Sequence, residues 1–467
     1  MEIMKRFIFL VIENSGNGEV VMNRRNYGKD MHELMTELYP LCRSITGDGV
    51  RGTLNILKKY LPSLKCYEVP TGTEVYDWII PKEWRVTEAW LKYKDSDEKI
   101  IDYKDLNLHL LNYSRPYKGI VSYDILKEHC FTLEEHPDWI PYRTAYYSEM
   151  WGFCLSYSVF SRLDRNREYE VYIDTEMFDG SLTYGEAYIE GEGQTDKEIL
   201  ISTYLCHPSL CNDNLSGVVL ATQLAQILSL RSDLRYSYRF IFVPETIGAI
   251  AWLATNEGKF KHIKGGLVAT CVGDGAPFVY KKTREGNQEI DHIVEKVLVD
   301  SGKQFRIMDY YPGGSDERQY GSPGINLPIG SLVRGLYTTD TIPSSPFEEY
   351  HTSADNLSFV KAEYLQESLE VYLAIIKYIE KNKKYCSQNK KGEPFLAKRN
   401  LNLAVGSGKD VYYVDVAIRF LMCYSDGTND LVEIARKARI NFEEILAVSK
   451  ILEDVGLLVK CEEYQNV

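Results

Sequence analysis

From about residue 166 onward, short apolar runs alternate with helix-like segments, and this alternation restricts the chain to an α/β fold. The strand-like runs EILISTYLC, YSYRFIFV and GGLVATCV are separated by the helix-like runs GVVLATQLAQILSL and IGAIAWLAT. Such alternation is typical of a sheet that helices cover on both faces. We therefore predict a mixed α/β sheet, followed by a long final helix over AEYLQESLEVYLAIIKYIEKN.

Changes of texture along the chain predict further domains. Residues 28–61 have helical periodicity, whereas short β-type runs and crowded aromatic residues fill the chain from about 64 to 165. YEVYIDT and SLTYGEAYIEG then look like a strand pair, and the Lys-rich KNKKYCSQNKKGEP is typical of a linker. The predicted bounds are a main domain at 1–63 and 166–385 (with 1–27 as a stray strand or a disordered leader), an inserted mostly-β domain at 64–165, a linker at 386–405 and a C-terminal winged helix at 406–467.

The winged helix is predicted from three short amphipathic helices and a short strand over residues 411–460. By count, residues 401–467 hold 7 Lys and Arg against 11 Asp and Glu, and the whole chain has a formal charge of −13. DNA-binding surfaces are usually basic, so we expect no nucleic-acid partner. The winged helix is instead predicted to contact protein, for example in a homo-oligomer.

The cysteines and the apolar runs bear on the compartment. The 10 cysteines are scattered without a CxxC pair, which favours reduced thiols and a cytoplasmic setting. The apolar run Phe7–Ile12 is short for a signal-peptide core and has no small-residue cleavage site after it. No later segment has the length of a membrane span, so no membrane partner is expected.

Ionisable residues follow several predicted strands or lie in loops near them: His207, Asp213, Glu245, Asp274, Asp316, Glu317, Arg318, His351 and Asp355. In open α/β sheets ligands bind at the carboxyl ends of strands, where such residues can meet. Taken singly, each has a plainer role, because Asp213 and Glu245 could cap helices and a histidine in a polar turn is more often hydrogen-bonded than a ligand. Two of the 8 histidines nevertheless lie at element ends beside carboxylates. A histidine–carboxylate set without suitable cysteine spacing suits Zn²⁺ in a catalytic role.

The order of these motifs resembles a known family. HPSLCNDNLSG, PETIGAIAWL, a strand ending in Asp, a GSD loop and HTSADN occur in sequence, as in the zinc aminopeptidases of the M28/M42 type. The resemblance covers roughly residues 30–61 and 166–385 and is strongest to a bacterial branch with an inserted β domain and a C-terminal winged helix. It implies a phosphorylase/hydrolase-like mixed sheet, the fold of the co-catalytic metallopeptidases.

The resemblance also implies a role for each matching residue. His207 matches a ligand of the first metal, Asp213 the carboxylate that bridges two metals, and His351 a ligand of the second metal. Asp274 matches the remaining ligand of the first metal, with less secure registration. Glu245 matches the first Glu of a Glu-Glu-x-Gly element, which acts as the general base.

Two details of the matching positions give sharper expectations. The family often has a cis peptide bond after the bridging aspartate, so the Asp213–Asn214 bond is predicted to be cis. The second Glu of Glu-Glu-x-Gly, a ligand of the second metal, is Thr246 here, and a hydroxyl is a poor substitute for it. We therefore expect one tightly held Zn²⁺, bound by His207, Asp213 and either His351 or Asp274, with a second site that is weak or empty. The residue that usually orients the first histidine is also missing.

The implied function is a zinc-dependent hydrolase of the aminopeptidase type, acting on a small peptide or an aminoacyl conjugate. A metal-activated water would attack the carbonyl carbon while Glu245 takes and returns the proton. Two alternatives stay open: a one-zinc acyl-transfer or amidase relative resembling glutaminyl cyclases, which Thr246 favours, and a non-catalytic regulatory protein that keeps the fold.

Substrate recognition is predicted from the remaining polar residues, namely Thr246, Asp316, Arg318 and Asp355. Asp316 or Asp355 could hold the free α-amine of the substrate. Arg318 or Arg334 could hold a substrate carboxylate, although a surface ion pair is the commoner role for an arginine. Four aromatic residues of the inserted domain could either close over the site or form that domain's own core: Tyr142, Tyr146, Tyr147 and Trp151.

Overall fold

The computed structural model describes residues 26–193, 195–336, 346–399, 401 and 409–461, so nearly all of the predicted leader lies outside the described residues. The described residues form two compact units: a main unit of residues 26–288 and 304–370, and a C-terminal unit of residues 289–303 and 371–461. None of the described helices combines the length and the apolar composition that crossing a membrane requires.

The strands, in chain order, are β1 Lys65–Pro70, β2 Glu74–Val75, β3 Trp78–Ile79, β4 Glu83–Tyr93, β5 Lys99–Asp102, β6 Tyr117–Ser122, β7 Cys130–Phe131, β8 Phe153–Cys154, β9 Glu168–Phe178, β10 Ser181–Ile189, β11 Glu198–Tyr204, β12 Ser237–Val243, β13 Ile263–Ala269, β14 Phe278–Lys281, β15 Phe305–Met308, β16 Ile329–Arg334, β17 Lys384–Ser387, β18 Asp426–Asp430 and β19 Leu458–Lys460. The helices are α1 Tyr27–Leu38, α2 Asp48–Tyr60, α3 Tyr123–Leu126, α4 Tyr157–Phe160, α5 Gly217–Ser229, α6 Ile247–Thr255, α7 Glu289–Ser301, α8 Glu317–Tyr320, α9 Ala362–Lys381, α10 Lys409–Tyr424, α11 Leu431–Ala438 and α12 Phe442–Asp454.

The main unit is built on an eight-stranded mixed sheet with the order β1-β10-β12-β11-β13-β16-β14-β15. Its centre, β12-β11-β13-β16, is parallel, and β10 and β14 run antiparallel to their neighbours in that centre. Every residue of β11 and β12 is buried, as expected of strands that are covered on both faces. The predicted mixed α/β sheet is confirmed, and its parallel centre brings several strand ends to one edge.

A second sheet of the main unit, with the order β5-β4-β9-β6, belongs to the inserted segment. The predicted pairing of YEVYIDT with SLTYGEAYIEG is wrong, because β9 pairs with β4 and β6 whereas β10 pairs with β1 and β12. Both runs have strand patterns, and the tight Asp179–Gly180 connection made them look like one hairpin. Sheet membership places β1 in the large sheet, although it lies inside the predicted inserted domain of 64–165, and places β9 in the small sheet, although it lies after residue 165.

The C-terminal unit contains a winged helix, as predicted. Helices α10, α11 and α12 accompany a three-stranded sheet with the order β18-β17-β19. Helix α11 begins with a capping box in which Asp430 and Glu433 each accept the other's backbone N–H. Strand β17 lies within KNKKYCSQNKKGEP, so the prediction of a linker is wrong for that part. Only Tyr385 of this strand is buried, which leaves too little apolar alternation for a sequence pattern to show.

Candidate metal centre

Three predicted ligands come together beyond the carboxyl end of β11. The Nε2 atom of His207 lies 3.7 Å from Oδ2 of Asp213, and Nε2 of His351 lies 2.9 Å from the same oxygen. One ligand atom from each residue lies within 4.8 Å of the other two. Within the described residues, this is the one group of three or more His, Cys, Asp or Glu side chains close enough to share an ion.

The loop between β11 and α5 fixes the carboxylate of Asp213. The carboxylate of Asp355 is fully buried and accepts the backbone N–H groups of Asn212 at 2.6 Å and Asp213 at 2.9 Å. The hydroxyl of Tyr204, at the end of β11, donates to Oδ1 of Asp213. Oδ2 is thereby left to face the two imidazoles. The Asp213–Asn214 peptide bond is cis, as predicted.

The orientation of His207 depends on its sequence neighbour. The Sγ atom of Cys206 lies 3.4 Å from Nδ1 of His207 and accepts the backbone N–H of Glu245 at 3.3 Å. Arg43, also fully buried, donates from Nε to the carbonyl of His207 at 3.0 Å. Cys206 therefore occupies the orienting position that the sequence seemed to leave vacant. Burial lowers the pKa of His207 to about 4, which keeps the imidazole neutral, the form that binds a metal.

His351 is held by the inserted segment. Its backbone has φ 58°, and its ring stacks on Tyr350 at 3.9 Å between centroids. The carbonyl of His351 accepts the N–H of Tyr142 at 2.7 Å, and the Tyr142 ring lies 5.1 Å from the ring of His207 and 5.2 Å from that of His351. The hydroxyls of Tyr142 and Tyr146 are 2.7 Å apart. These two tyrosines wall the site.

The other two aromatic residues named for this wall do not join it. Trp151 stacks on Tyr117 and His129 within the inserted segment, so it belongs to that segment's own packing. Tyr147 is 61% exposed and packs edge-on against Trp78. A sequence rich in aromatic residues does not show which rings will face the site. In the structure Tyr142 and Tyr146 face it, whereas Tyr147 and Trp151 do not.

Glu245 lies beside the ligand cluster. Its Oε2 is 3.8 Å from Nε2 of His207. Burial, and then the carboxylates of Asp316 and Asp213, raise its pKa well above the usual range for a glutamate. A raised pKa makes a carboxylate a stronger base than an ordinary one, and Glu245 lies next to the predicted metal position.

Thr246 is turned away from the ligand cluster by two neighbours. Its backbone N–H donates to Oδ1 of Asp316 at 2.7 Å, and its hydroxyl accepts a hydrogen bond from Arg318 at 2.9 Å. Burial raises the pKa of Asp316 to about 7. The position where the resemblance implies a second carboxylate ligand is thus occupied by a hydroxyl that already has a hydrogen-bond partner.

Three further predictions differ from the structure. Asp274 is not brought to the cluster, since its carboxylate accepts from the side chain of Asn212 and from the backbone of Ala276. Strand β13 ends at Ala269, well before Asp274, so the strand end itself does not carry the aspartate. Asp355 supports the Asp213 loop with both oxygens instead of facing substrate. Arg334 is neither on the surface nor at the site, because it is buried and paired with Glu367 at 2.5 Å.

A cavity of about 310 Å³ adjoins the cluster. Tyr204, Glu245 and Tyr350 line it on the side of the predicted ligands, and Val279, Met308 and Val333 form an apolar wall. Lys281 and Glu317 also line the cavity and form an ion pair with each other. The volume is at the lower end of the range for small-molecule sites.

The ligand set fits a zinc ion. Oδ2 of Asp213 and Nε2 of His351 lie 2.9 Å apart, and both are buried polar atoms that make no hydrogen bond within the described residues. Two imidazole nitrogens and one carboxylate oxygen are the donors that catalytic zinc sites use, with a fourth position open to water or substrate. His207, Asp213 and His351 would hold the ion.

Comparisons with known proteins show the family of the chain. Residues 32–382 match the family described as "Domain of unknown function (DUF4910)". The chain is a member of the DUF4910 family. Residues 383–460 of this DUF4910 protein match the winged helix-turn-helix family. The matched region begins just before β17 and therefore includes most of the predicted linker.

Two relatives from Clostridium acetobutylicum cover nearly the whole DUF4910 protein. One is 47% identical over 94% of this chain and 98% of its own length, and its name provisionally describes a polysaccharide biosynthesis protein with an aminopeptidase-like domain. The other is a crystal structure provisionally described as a peptidase, which is 44% identical, has a TM-score of 0.83 and covers 98% of this chain and 99% of that one.

A more distant structure supports the fold alone. A zinc aminopeptidase from Bacillus subtilis is 12% identical, has a TM-score of 0.55 and covers 75% of this chain and 94% of that one. The resemblance to M28-type zinc aminopeptidases is thus confirmed at the level of the fold.

Proposed function

We propose that this DUF4910 protein is a metal-dependent hydrolase of the aminopeptidase type, which cleaves an amide bond in a small peptide or an aminoacyl conjugate. One observation carries the proposal: a carboxylate that is not a member of the ligand set, Glu245, lies 3.8 Å from a ligand imidazole and lines the adjoining cavity.

Each part of the site would have a distinct task. A Zn²⁺ held by His207, Asp213 and His351 would polarise the scissile carbonyl and acidify water. Glu245 would accept a proton on its carboxylate from the attacking water and return it to the leaving nitrogen. Because its pKa is raised, the Glu245 carboxylate is a stronger base than that of an ordinary glutamate. Tyr142 and Tyr146 would exclude bulk water from the side of the inserted segment.

The test is a panel of aminoacyl amides, acyl amides and N-terminal glutaminyl peptides, assayed with the Zn²⁺-loaded full chain. The name of the C. acetobutylicum relative adds amides of amino sugars to the panel. Glu245→Gln should lower kcat by about 10²- to 10⁴-fold with unchanged zinc content. Glu149→Gln, on a glutamate whose side chain is 86% exposed, is the matched control.

The products separate the proposal from its alternatives. Free amine or ammonia with a linear acid indicates hydrolysis, whereas a cyclised N-terminal residue indicates the acyl-transfer chemistry resembling glutaminyl cyclases. A Glu245→Gln variant as active as the wild type would overturn the assignment of the base. Turnover of nothing in the panel would favour the non-catalytic reading.

A further inference from the structure

Two cysteines of the C-terminal unit lie in direct contact. Cys386 belongs to β17, and Cys461 directly follows β19. Their Sγ atoms are 2.6 Å apart, although the two residues are separated by 75 positions in the sequence. The fold therefore brings together two thiols from opposite ends of the winged helix, at a distance from which they can form a bond.

The register of the small sheet explains why these two side chains meet. Cys386 pairs with Val459 of the neighbouring antiparallel strand, so Cys461 comes two residues further along that chain. Side chains two residues apart on a strand point to the same face of the sheet. Diagonal neighbours across two antiparallel strands are also within reach of each other. The contact thus follows from the pairing of β17 with β19.

The surroundings leave the pair accessible and undivided. Gly427 of β18 has φ 89°, and a Cβ atom there would lie 3.4 Å from Sγ of Cys386 and 3.5 Å from Sγ of Cys461. Cys386 and Cys461 are half-buried, so a small solute can reach them. The fully buried cysteines are Cys154, Cys206, Cys211 and Cys271. Among the described residues, no third His, Cys, Asp or Glu is close enough to complete a metal site with the pair.

We propose that Cys386 and Cys461 form a reversible disulfide that stabilises the winged helix under oxidising conditions. The bond would join β17, the first strand of the winged helix, to the residue after its last strand, and the loop that it closes contains α10, α11 and α12. A cross-link that closes a long loop restricts the unfolded chain strongly and so favours the folded state. In a reducing compartment, which the scattered cysteines favour, disulfides are typically transient and sense oxidation.

The reaction needs an oxidant, and a small disulfide such as oxidised glutathione supplies it. The Cys386 thiolate attacks one sulfur of this disulfide, forms a mixed disulfide and releases one small thiol. The sulfur of Cys461 then attacks Cys386 and releases the second small thiol. The two protons of the cysteines pass to the two released thiols, and two electrons pass from the cysteine pair to the small disulfide. Burial, and then the Cys386 thiol, raise the pKa of Cys461 to about 12, so Cys461 is the thiol that reacts second.

The first experiment treats the full chain with mixtures of oxidised and reduced glutathione, blocks the remaining thiols in acid and maps the peptides by mass spectrometry. The predominant cross-linked peptide of the wild type should join Cys386 to Cys461, and dithiothreitol should remove it. Cys386→Ser and Cys461→Ser should each abolish this peptide. Cys423→Ser, at an exposed cysteine of α10, is the matched control and should retain it. Glutathione bound to either cysteine without a bond between the two, or cross-links only between other cysteines, would overturn the proposal.

Limited proteolysis tests whether the bond stabilises the winged helix. Cleavage that requires opening of the folded domain reports how often the domain opens. The oxidised wild type should be cut within residues 409–460 at least about tenfold more slowly than the protein reduced with dithiothreitol. Cys386→Ser and Cys461→Ser should be cut there at the same rate under both conditions, and cleavage within residues 65–189 of the main unit should not depend on the treatment. Equal cleavage of the oxidised and reduced wild type within residues 409–460 would overturn the stabilising role.

Discussion

The Asp355→Ala substitution should destabilise the main unit strongly, although Asp355 touches no substrate in the proposed reaction. Its two carboxylate oxygens accept the backbone N–H groups of Asn212 and Asp213 at 2.6 and 2.9 Å in a fully buried position. Alanine leaves both N–H groups buried without an acceptor, and each such group costs about 1–3 kcal/mol. The free energy of unfolding should therefore fall by about 2–6 kcal/mol.

Urea denaturation followed by tryptophan fluorescence measures this change in one unit. The chain has 6 tryptophans, and all of them lie within residues 26–288, so the signal reports the main unit. Asp97→Ala, at a fully exposed aspartate, is the control and should change the free energy of unfolding by less than about 0.5 kcal/mol. Zinc affinity should fall as well, because the backbone of Asp213 loses its support. A loss of stability below about 1 kcal/mol for Asp355→Ala would refute the role given to this carboxylate.

Two further predictions concern the first histidine. Cys206→Val removes the acceptor at Nδ1 of His207 and should weaken zinc binding about 10- to 100-fold, as measured by chelator competition. Cys206→Ser keeps an acceptor and should retain most of the affinity. Equal zinc affinities of the two variants would refute the orienting role of Cys206. The metal-free protein should lose stability as the pH falls from about 6.5 toward 4. The pKa of His207 is about 4 in the folded protein, whereas an unperturbed histidine, as in the unfolded chain, has a pKa of 6.5. The unfolded chain therefore binds the proton at a higher pH than the folded protein does, which favours unfolding. Urea midpoints should fall less steeply with pH in His207→Gln, and identical pH slopes would contradict the shift.

Much of the fold was accessible from periodicity alone. Apolar runs such as β11 and β12 are buried on both faces, so their composition is nearly uniform and their bounds are distinct. The helices over α5 and α9 follow from apolar spacing in the same way. Strand β17 was not predicted because it is short and mostly exposed. The partners of β9 could not be predicted because strand pairing depends on the tertiary structure.

The site was partly predictable for a related reason. His207, Asp213 and His351 lie in loops at one edge of the sheet, so their motifs already pointed to a shared location. Asp274 shows the limit of this reasoning, since a loop of several residues beyond β13 turns its carboxylate to Asn212. The role of Cys206 could not be predicted either, because the sequence Cys-His does not determine which ring nitrogen the sulfur will contact.

Zinc-edge anomalous diffraction from crystals of the full chain grown with Zn²⁺ tests the central claim most directly. We predict one strong peak about 2.0–2.2 Å from Nε2 of His207, Oδ2 of Asp213 and Nε2 of His351. A strong peak elsewhere with none among these three residues would contradict the account.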